Sequence, residues 1–115
     1  MPITLQTSVL PGGAGVVSIG GSFLDEESAK QVSEAVERFT SVDHPKLIID
    51  LERVTFLSSK AIGELVRAHI STMRREGKLV VCGLNERVYT VLTVTKLNMV
   101  LNLVRSLDEA EKTFA

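Results

Sequence analysis

The sequence predicts an α/β fold in which a mixed β-sheet of about five strands packs against about four helices. Two short apolar runs, Lys46–Leu51 and Lys78–Gly83, do not alternate with polar residues, which is typical of strands covered on both faces. Segments with helical periodicity lie before, between and after these runs. Strand–helix alternation requires crossovers between parallel strands, and 115 residues suffice for one such domain, residues 1–115.

The chain opens with a predicted β-hairpin, which makes the sheet mixed. Apolar and polar residues roughly alternate over Ile3–Val9, and Pro11–Gly13 is a turn signal. Val16–Ile19 is rich in β-branched residues, and the glycine pair Gly20–Gly21 is expected to end this second strand.

The first helix is predicted from Glu26 to Phe39. Asp25 is a favourable N-cap residue, and the carboxylates of Glu26 and Glu27 suit the positive end of the helix dipole. Apolar residues recur at helical spacing at Ala29, Val32, Val36 and Phe39.

The second helix follows the strand Lys46–Leu51, with Ser58 placed to cap it. Arg74 and Arg75 suit its negative C-terminal end, and Gly77 is expected to end it in the left-handed conformation. Its predicted buried stripe consists of Ile62, Leu65, Val66, Ile70 and Met73.

The last third of the chain predicts a short helix, Glu86–Leu92, and a final strand, Met99–Leu103. The segment Thr93–Thr95 disfavours a longer helix because its residues are β-branched. Ser106 and Glu109 form a capping box, which predicts a terminal amphipathic helix. The expected inward positions of that helix are Leu107, Ala110 and Phe114.

The composition excludes several classes of partner. The net charge is −1, and no Lys/Arg run forms a basic stripe, so nucleic acid is not expected to bind. The start of the chain, Met1–Thr4, lacks the features of a signal peptide, and no apolar stretch is long enough to span a bilayer. We therefore expect a cytoplasmic protein that does not associate with membranes.

Residues capable of catalysis or metal binding are few. The single Cys82 has no cysteine partner and ends a predicted buried strand, where a thiol usually acts as an apolar filler. His44 and His69 are interpreted as surface or packing residues. The glycine-rich turns lack the Lys-Ser/Thr of a phosphate-binding loop. We expect no metal, no cofactor and no enzymatic activity.

Asp50 leaves two interpretations open. It ends a predicted strand at the carboxyl edge of the sheet, where open α/β folds commonly place their sites. A carboxylate there equally often holds a loop through hydrogen bonds. A nucleotide-binding or enzymatic function would rest on Asp50 and the glycine pairs.

The most informative segment is Val54–Gly63, which passes from a strand to a helix through two adjacent hydroxyls. Capping explains Ser58 but does not require Ser59. A phosphate at this place meets free backbone amides and the positive end of the helix dipole, so the fold tolerates the new charge. The segment therefore predicts a phosphorylation site whose modification alters a docking surface and leaves the fold intact.

This segment resembles the STAS domains, and among them the stand-alone anti-sigma-factor antagonists of bacteria. The family pattern is an apolar strand ending in Asp-Leu, a few residues, then Val-x-Phe-Ile-Asp-Ser-Ser/Thr-Gly-Leu-Gly. Asp50–Leu51 and Val54–Gly63 match it, with Ser59 on the family's phosphorylated serine. Ser58 replaces the Asp of the pattern, Lys60 a small hydroxyl residue and Ala61 a Gly.

The resemblance covers nearly the whole chain. Gly21–Asp25 resembles the Gly-x-Leu-Asp turn before the family's first helix, Gly77–Val81 its exit from the second helix, and Leu97–Leu101 its Leu-Asp-x-Val-Phe segment. The resemblance implies a STAS-like mixed sheet backed by helices, with the serine-bearing helix end exposed. Lys60 is expected either to pair with a phosphate on Ser59 or to lie in solvent.

The implied function is that of an anti-sigma-factor antagonist. Its expected partner is a GHKL-type serine kinase that also serves as the anti-sigma factor, and phosphorylation of Ser59 would end the binding. The expected partner-binding residues are Asp25, Ser58, Ser59, Lys60, Gly63 and Arg67. The protein would be a monomer or weak homodimer. An alternative within the family is a docking subunit of a stressosome or a lipid-transport complex that is not phosphorylated.

Overall fold

The computed structural model describes residues 3–23 and 25–114. Within them the strands are β1 (Thr4–Val9), β2 (Gly15–Phe23), β3 (Lys46–Leu57), β4 (Lys78–Cys82) and β5 (Asn102–Leu103). The α-helices are α1 (Glu26–Thr40), α2 (Ser59–Arg74), α3 (Glu86–Val94) and α4 (Leu107–Thr113). Met1 and Pro2, and Leu24 of the predicted turn before the first helix, lie outside the described residues.

The sheet has the predicted mixed character. Its strand order follows the chain, β1-β2-β3-β4-β5. β1 and β2 are antiparallel, whereas β2–β3, β3–β4 and β4–β5 are parallel. The helices α1, α2 and α3 are the crossovers that three parallel pairings require.

Two hydrophobic layers hold the sheet because successive residues of a strand point to opposite faces. In β3, Leu47, Ile49 and Leu51 join the larger cluster, which also contains apolar residues of α1, α2 and α3. Ile48 points the other way, into a smaller cluster with Ala110 of α4. The uninterrupted apolar run of β3 therefore has the predicted cause, since helices cover both of its faces.

The strand β3 is longer than its apolar run indicates. It continues beyond Leu51 to Leu57 and stays paired with β2 as far as Phe23↔Leu57. Irregularities in the β2–β3 register occur between Ser18 and Gly20 and again between Gly21 and Ser22. β2 thus runs through the glycine pair that was expected to end it, because a bulge absorbs the change in register.

The predicted final strand, Met99–Leu103, is wrong over its first half. Met99 belongs to a 3₁₀ turn, Leu97–Met99, and β5 is only Asn102–Leu103. α3 also extends to Val94, and the hydroxyl of Thr93 donates a 2.8 Å hydrogen bond to the Tyr89 carbonyl oxygen. Such bonds along the helix accommodate threonines that the sequence pattern counted against it.

The predicted buried stripe of α2 is rotated by about 100°, or one residue, from the observed one. Ile70 and Met73 are 43% and 54% exposed, which corrects their assignment to the core. The buried residues of this helix are Ala61, Leu65, Ala68 and Thr72. α2 packs against α1, β3 and β4 along this line of mostly small side chains. Small side chains allow α2 to lie closer to these neighbours than large side chains such as Ile70 and Met73 would.

The predicted left-handed ending of α2 falls one residue earlier. Glu76 has φ +57°, whereas Gly77 lies outside the left-handed region. The backbone N–H of Gly77 donates to the Thr72 carbonyl oxygen at 2.9 Å and satisfies the helix end. Gly77 is required for a different reason, a close approach to Pro45.

Candidate functional site

The predicted serine pair lies where β3 ends and α2 begins. Ser58 is the N-cap of α2, with φ −90° and ψ 174°, and its Oγ accepts a 3.2 Å hydrogen bond from the Ala61 backbone N–H. Ser59 is the first residue of the helix, and its side chain is exposed. The two hydroxyls therefore have different roles: that of Ser58 caps the helix, and that of Ser59 is exposed to solvent at the helix end.

Three helix N-termini lie at the edge of the sheet where this serine is found. α1, α2 and α3 follow the carboxyl ends of β2, β3 and β4. The caps Asp25 and Asn85 each accept a 2.8 Å bond from the backbone N–H three residues on, and the Asn85 amide also donates to the Val54 carbonyl oxygen. The positive ends of three helix dipoles thus face this edge, which favours negative charge there.

Asp25, a predicted partner-binding residue, is exposed and serves its own helix. Hydrogen bonds from Ser28, through its side chain and its backbone N–H, hold the pKa of the Asp25 carboxyl below its ordinary value. The carboxylate is therefore charged at neutral pH. It lies at the same sheet edge as Ser59.

Lys60 lies largely in solvent, one of the two outcomes expected for it, but it also forms an ion pair that the sequence did not indicate. Its Nζ forms an ion pair with Glu26 Oε1 and so bridges the first turns of α2 and α1. Hydrogen bonding and charge attraction from Lys60 lower the pKa of the Glu26 carboxyl. Both side chains remain largely in solvent, with 52% and 83% of their areas exposed.

A groove of about 590 Å³ runs between α1 and α2 beside this ion pair. Lys60, Gly63 and Arg67 line its α2 side, and Glu26 lies on its α1 side. The Arg67 guanidinium pairs with Glu64 at 3.2 Å. The predicted partner-binding residues of α2 therefore converge on one surface, where Ser58 and Ser59 begin the helix and the other three residues line the groove.

Gly63 leaves the groove open. A Cβ placed on it would meet no heavy atom of the surrounding chain within 4 Å. Glycine in a helix interior costs about 0.5–1 kcal/mol relative to alanine. The fold thus carries this cost at a position where its own packing does not demand glycine.

An exposed aromatic residue near the serine pair was missed. Phe56, at the end of β3, is 47% exposed, and the Arg87 guanidinium carbon lies 4.6 Å from its ring centroid. Aromatic and arginine side chains are common anchors in protein interfaces. The sequence pattern placed Phe56 in a strand, and its contact with Arg87 depends on where α3 lies relative to the end of β3.

The other candidate residues have structural roles. Asp50 lies within β3, which corrects its predicted place at a strand end, and its Oδ1 accepts a 3.0 Å bond from the Glu52 backbone N–H. Cys82 is fully buried, and burial, with smaller effects of the charges on Asp50 and Glu52, raises its pKa to about 12. Because Asp50 and Glu52 both lie within β3, this bond is a contact within the strand and does not hold a loop. Cys82 is the predicted apolar filler.

Comparison with known proteins identifies the family. A sequence model of the STAS domain matches residues 7–110. The chain belongs to the STAS domain family. The match includes β3, the serine pair and α2, so the resemblance carried by Val54–Gly63 is confirmed.

Individual STAS relatives agree in sequence and in fold. The anti-sigma-B factor antagonist of Listeria monocytogenes is 30% identical over 80 residues, which are 70% of each chain. An anti-sigma factor antagonist from Mycobacterium paratuberculosis is 26% identical, with a TM-score of 0.84 over 97% of this chain and 93% of that one.

A more distant likeness concerns a phosphorylated protein. The Bacillus cell fate determinant SpoIIAA, solved in its phosphorylated form, superimposes with a TM-score of 0.76 at 16% identity, over 97% of this chain and 100% of that one. At this identity the likeness is one of fold. Separately, in the part of this STAS chain that the structure describes, no helix has the length and apolar character needed to cross a membrane.

Proposed function

We propose that this STAS protein is an anti-sigma factor antagonist. In its unphosphorylated state it binds a GHKL-type serine kinase that also serves as the anti-sigma factor, and the bound sigma factor is released. Phosphorylation of Ser59 ends this binding. The observation that carries the proposal is the exposed hydroxyl of Ser59 at the first position of α2, beside a groove lined by Lys60, Gly63 and Arg67.

The names of the relatives support the partner. The Listeria and Mycobacterium proteins are called antagonists of anti-sigma factors, and the Listeria relative is 30% identical to this chain. Bacterial transcription takes place in the cytoplasm, and we place the protein there. Residues 1–115 act as a single STAS domain, a monomer or weak homodimer, that docks through the face around Ser59.

The chemistry of the switch requires little from this chain. The Ser59 Oγ attacks the γ-phosphorus of ATP held by the kinase, ADP leaves, and the hydroxyl proton passes to a base of the kinase. The product carries about −1.5 to −2 charge at the helix N-terminus, where free amides and the dipole stabilise it. A kinase surface that fitted a neutral hydroxyl then meets a dianion that it must desolvate. Phosphorylated SpoIIAA supports the compatibility of this fold with phosphate.

The first test is the modification itself. The purified protein, incubated with ATP and its proposed partner kinase, is expected to gain one phosphate on the peptide that contains Ser59, because that hydroxyl is exposed and the Ser58 hydroxyl caps the helix. Tandem mass spectrometry locates the phosphate.

Two variants serve as controls for this test. Ser59→Ala is expected to abolish incorporation, whereas Ser58→Ala is expected to retain it. A stable complex with the kinase but no phosphate on Ser59 would contradict the switch and would instead favour a docking subunit that is not phosphorylated.

A second prediction concerns the open position in the groove. Gly63→Ala is expected to raise the free energy of unfolding by about 0.5–1 kcal/mol, because the helix gains propensity and the new methyl group meets nothing. The same methyl group is expected to weaken kinase binding severalfold, because it fills space that the partner must occupy. Urea denaturation measures the first effect, and isothermal titration calorimetry measures the second.

Ser71→Ala is the matched control, since Ser71 is an exposed residue of the same helix about two turns further on. It is expected to leave kinase affinity unchanged. Unchanged affinity of the Gly63→Ala protein would show that the groove lies outside the docking surface.

A further inference from the structure

The ion pair between Lys60 and Glu26 joins two helices at the residue next to the proposed phosphorylation site. Glu26 is the first residue of α1, and Lys60 is the second residue of α2. The pair crosses the mouth of the groove between these helices. Both partners are largely exposed, so the bond is screened by solvent and is easily exchanged for a stronger one.

The nearby cations differ in how they are engaged. Arg67, on the same helix, is held by Glu64 within its own helix, and Arg87 stacks on the Phe56 ring. Lys60 alone of these three is adjacent in sequence to Ser59. The flexible side chain and rotatable ammonium group of Lys60 allow it to change partners more readily than a planar guanidinium does.

Lys60 can reach a phosphate on Ser59 although the two residues are adjacent in sequence. Neighbouring side chains in the middle of a helix point about 100° apart. Ser59, however, is the first helical residue, so a phosphate on it extends beyond the helix end toward the free amides. The long lysine side chain can follow it there. A phosphate dianion attracts the ammonium about twice as strongly as one carboxylate does at equal distance.

We propose that Lys60 exchanges partners when Ser59 is phosphorylated: its ammonium leaves Glu26 and binds the phosphate. This inference rests on the proposed phosphorylation of Ser59. The exchange opens the bridge between α1 and α2 and leaves the Glu26 carboxylate unpaired at the rim of the groove. The docking surface thereby acquires negative charge on two helices. Phosphorylation of one residue on α2 therefore changes the charge on both sides of the groove.

The experiment measures the coupling between Lys60 and Glu26 in both states. Phosphoserine is installed at position 59 of the full chain during translation, so no kinase is needed. NMR titration gives the pKa of the Glu26 carboxyl with Lys60 present and with Lys60→Met. In the unmodified protein the substitution is expected to raise the pKa of Glu26, because it removes the hydrogen bond and the charge attraction of Lys60. In the phosphorylated protein it is expected to leave that pKa unchanged.

A second NMR measurement, on the phosphate itself, tests the new bond between Lys60 and the phosphate. Phosphorus NMR of the phosphorylated protein is expected to show a higher second pKa of the phosphate after Lys60→Met, because the ammonium no longer stabilises the dianion.

The inference is overturned if Lys60→Met raises the pKa of Glu26 equally in both states, if it has no effect in the unmodified protein, or if the phosphate pKa does not respond. These outcomes are distinct from failure of the proposed function, which would appear as a kinase that leaves Ser59 unmodified.

Discussion

Ser59→Asp is expected to weaken binding to the kinase by at least about tenfold, or about 1.4 kcal/mol, whereas Ser59→Ala retains the affinity of the unsubstituted protein. The carboxylate places a permanent charge at an exposed position that the partner is proposed to cover. Desolvating an unpaired charge in an interface opposes association, whereas a methyl group adds no such cost. Isothermal titration calorimetry with the kinase measures both affinities.

The loss of binding would not come from unfolding. Ser59 is the first residue of α2, where an aspartate interacts favourably with the helix dipole by about 0.3–1 kcal/mol. Ser8→Asp is the matched control, because it adds the same charge at an exposed position on the edge strand β1. It is expected to bind normally. Equal affinities of the Ser59→Asp and Ser59→Ala proteins would remove charge as the basis of the switch.

Local chemistry explains what could be predicted from the sequence. Asp25, Ser58 and Ser106 all cap the helices they were expected to cap, since a cap depends only on the next three residues. The apolar runs in β3 and β4 likewise predicted strands covered on both faces. These features are determined within one helix or strand, so they can be predicted from the periodicity and spacing of residues in the sequence.

Side-chain contacts between distant parts of the chain could not be predicted. Lys60 and Glu26 are 34 residues apart, and no pattern in either helix indicates that the two meet. The stacking of Arg87 on Phe56 also depends on how α3 follows the sheet. The rotation of α2 has the same origin, because the close packing of α1 and α2 decides which side of the helix is buried.

The same distinction applies to the candidate site, where some features depend on the local sequence and others on the packing of distant segments. The exposed serine at the helix end followed from its neighbours in sequence, whereas the groove and its ion pair required the packing of two helices. A family resemblance supplied the residues of the site, but not the bond that Lys60 makes. That bond exists because this chain has a lysine where the family pattern has a small hydroxyl residue.

Gly77→Ala is expected to cause a large loss of stability, about 2–3 kcal/mol of unfolding free energy. A Cβ on Gly77 would lie 2.1 Å from the Pro45 carbonyl oxygen and 2.6 Å from two atoms of the proline ring. Neither group can move easily, because the same carbonyl accepts a 2.8 Å hydrogen bond from the Lys78 backbone N–H where β3 and β4 begin to pair. Relief of the clash would break that pairing. Urea denaturation followed by circular dichroism measures the loss.

Gly12→Ala separates this clash from the conformational cost of losing a glycine. Gly12 has φ +101°, and a Cβ there meets nothing within 4 Å, so the substitution carries backbone strain of about 1–2 kcal/mol without overlap. Gly63→Ala carries neither and is expected to stabilise. The predicted order of stability is therefore Gly63→Ala, then the unsubstituted protein, then Gly12→Ala, then Gly77→Ala. If Gly77→Ala were no worse than Gly12→Ala, the contact between the end of α2 and Pro45 would be looser than the backbone positions indicate, and the exit from α2 would not depend on glycine.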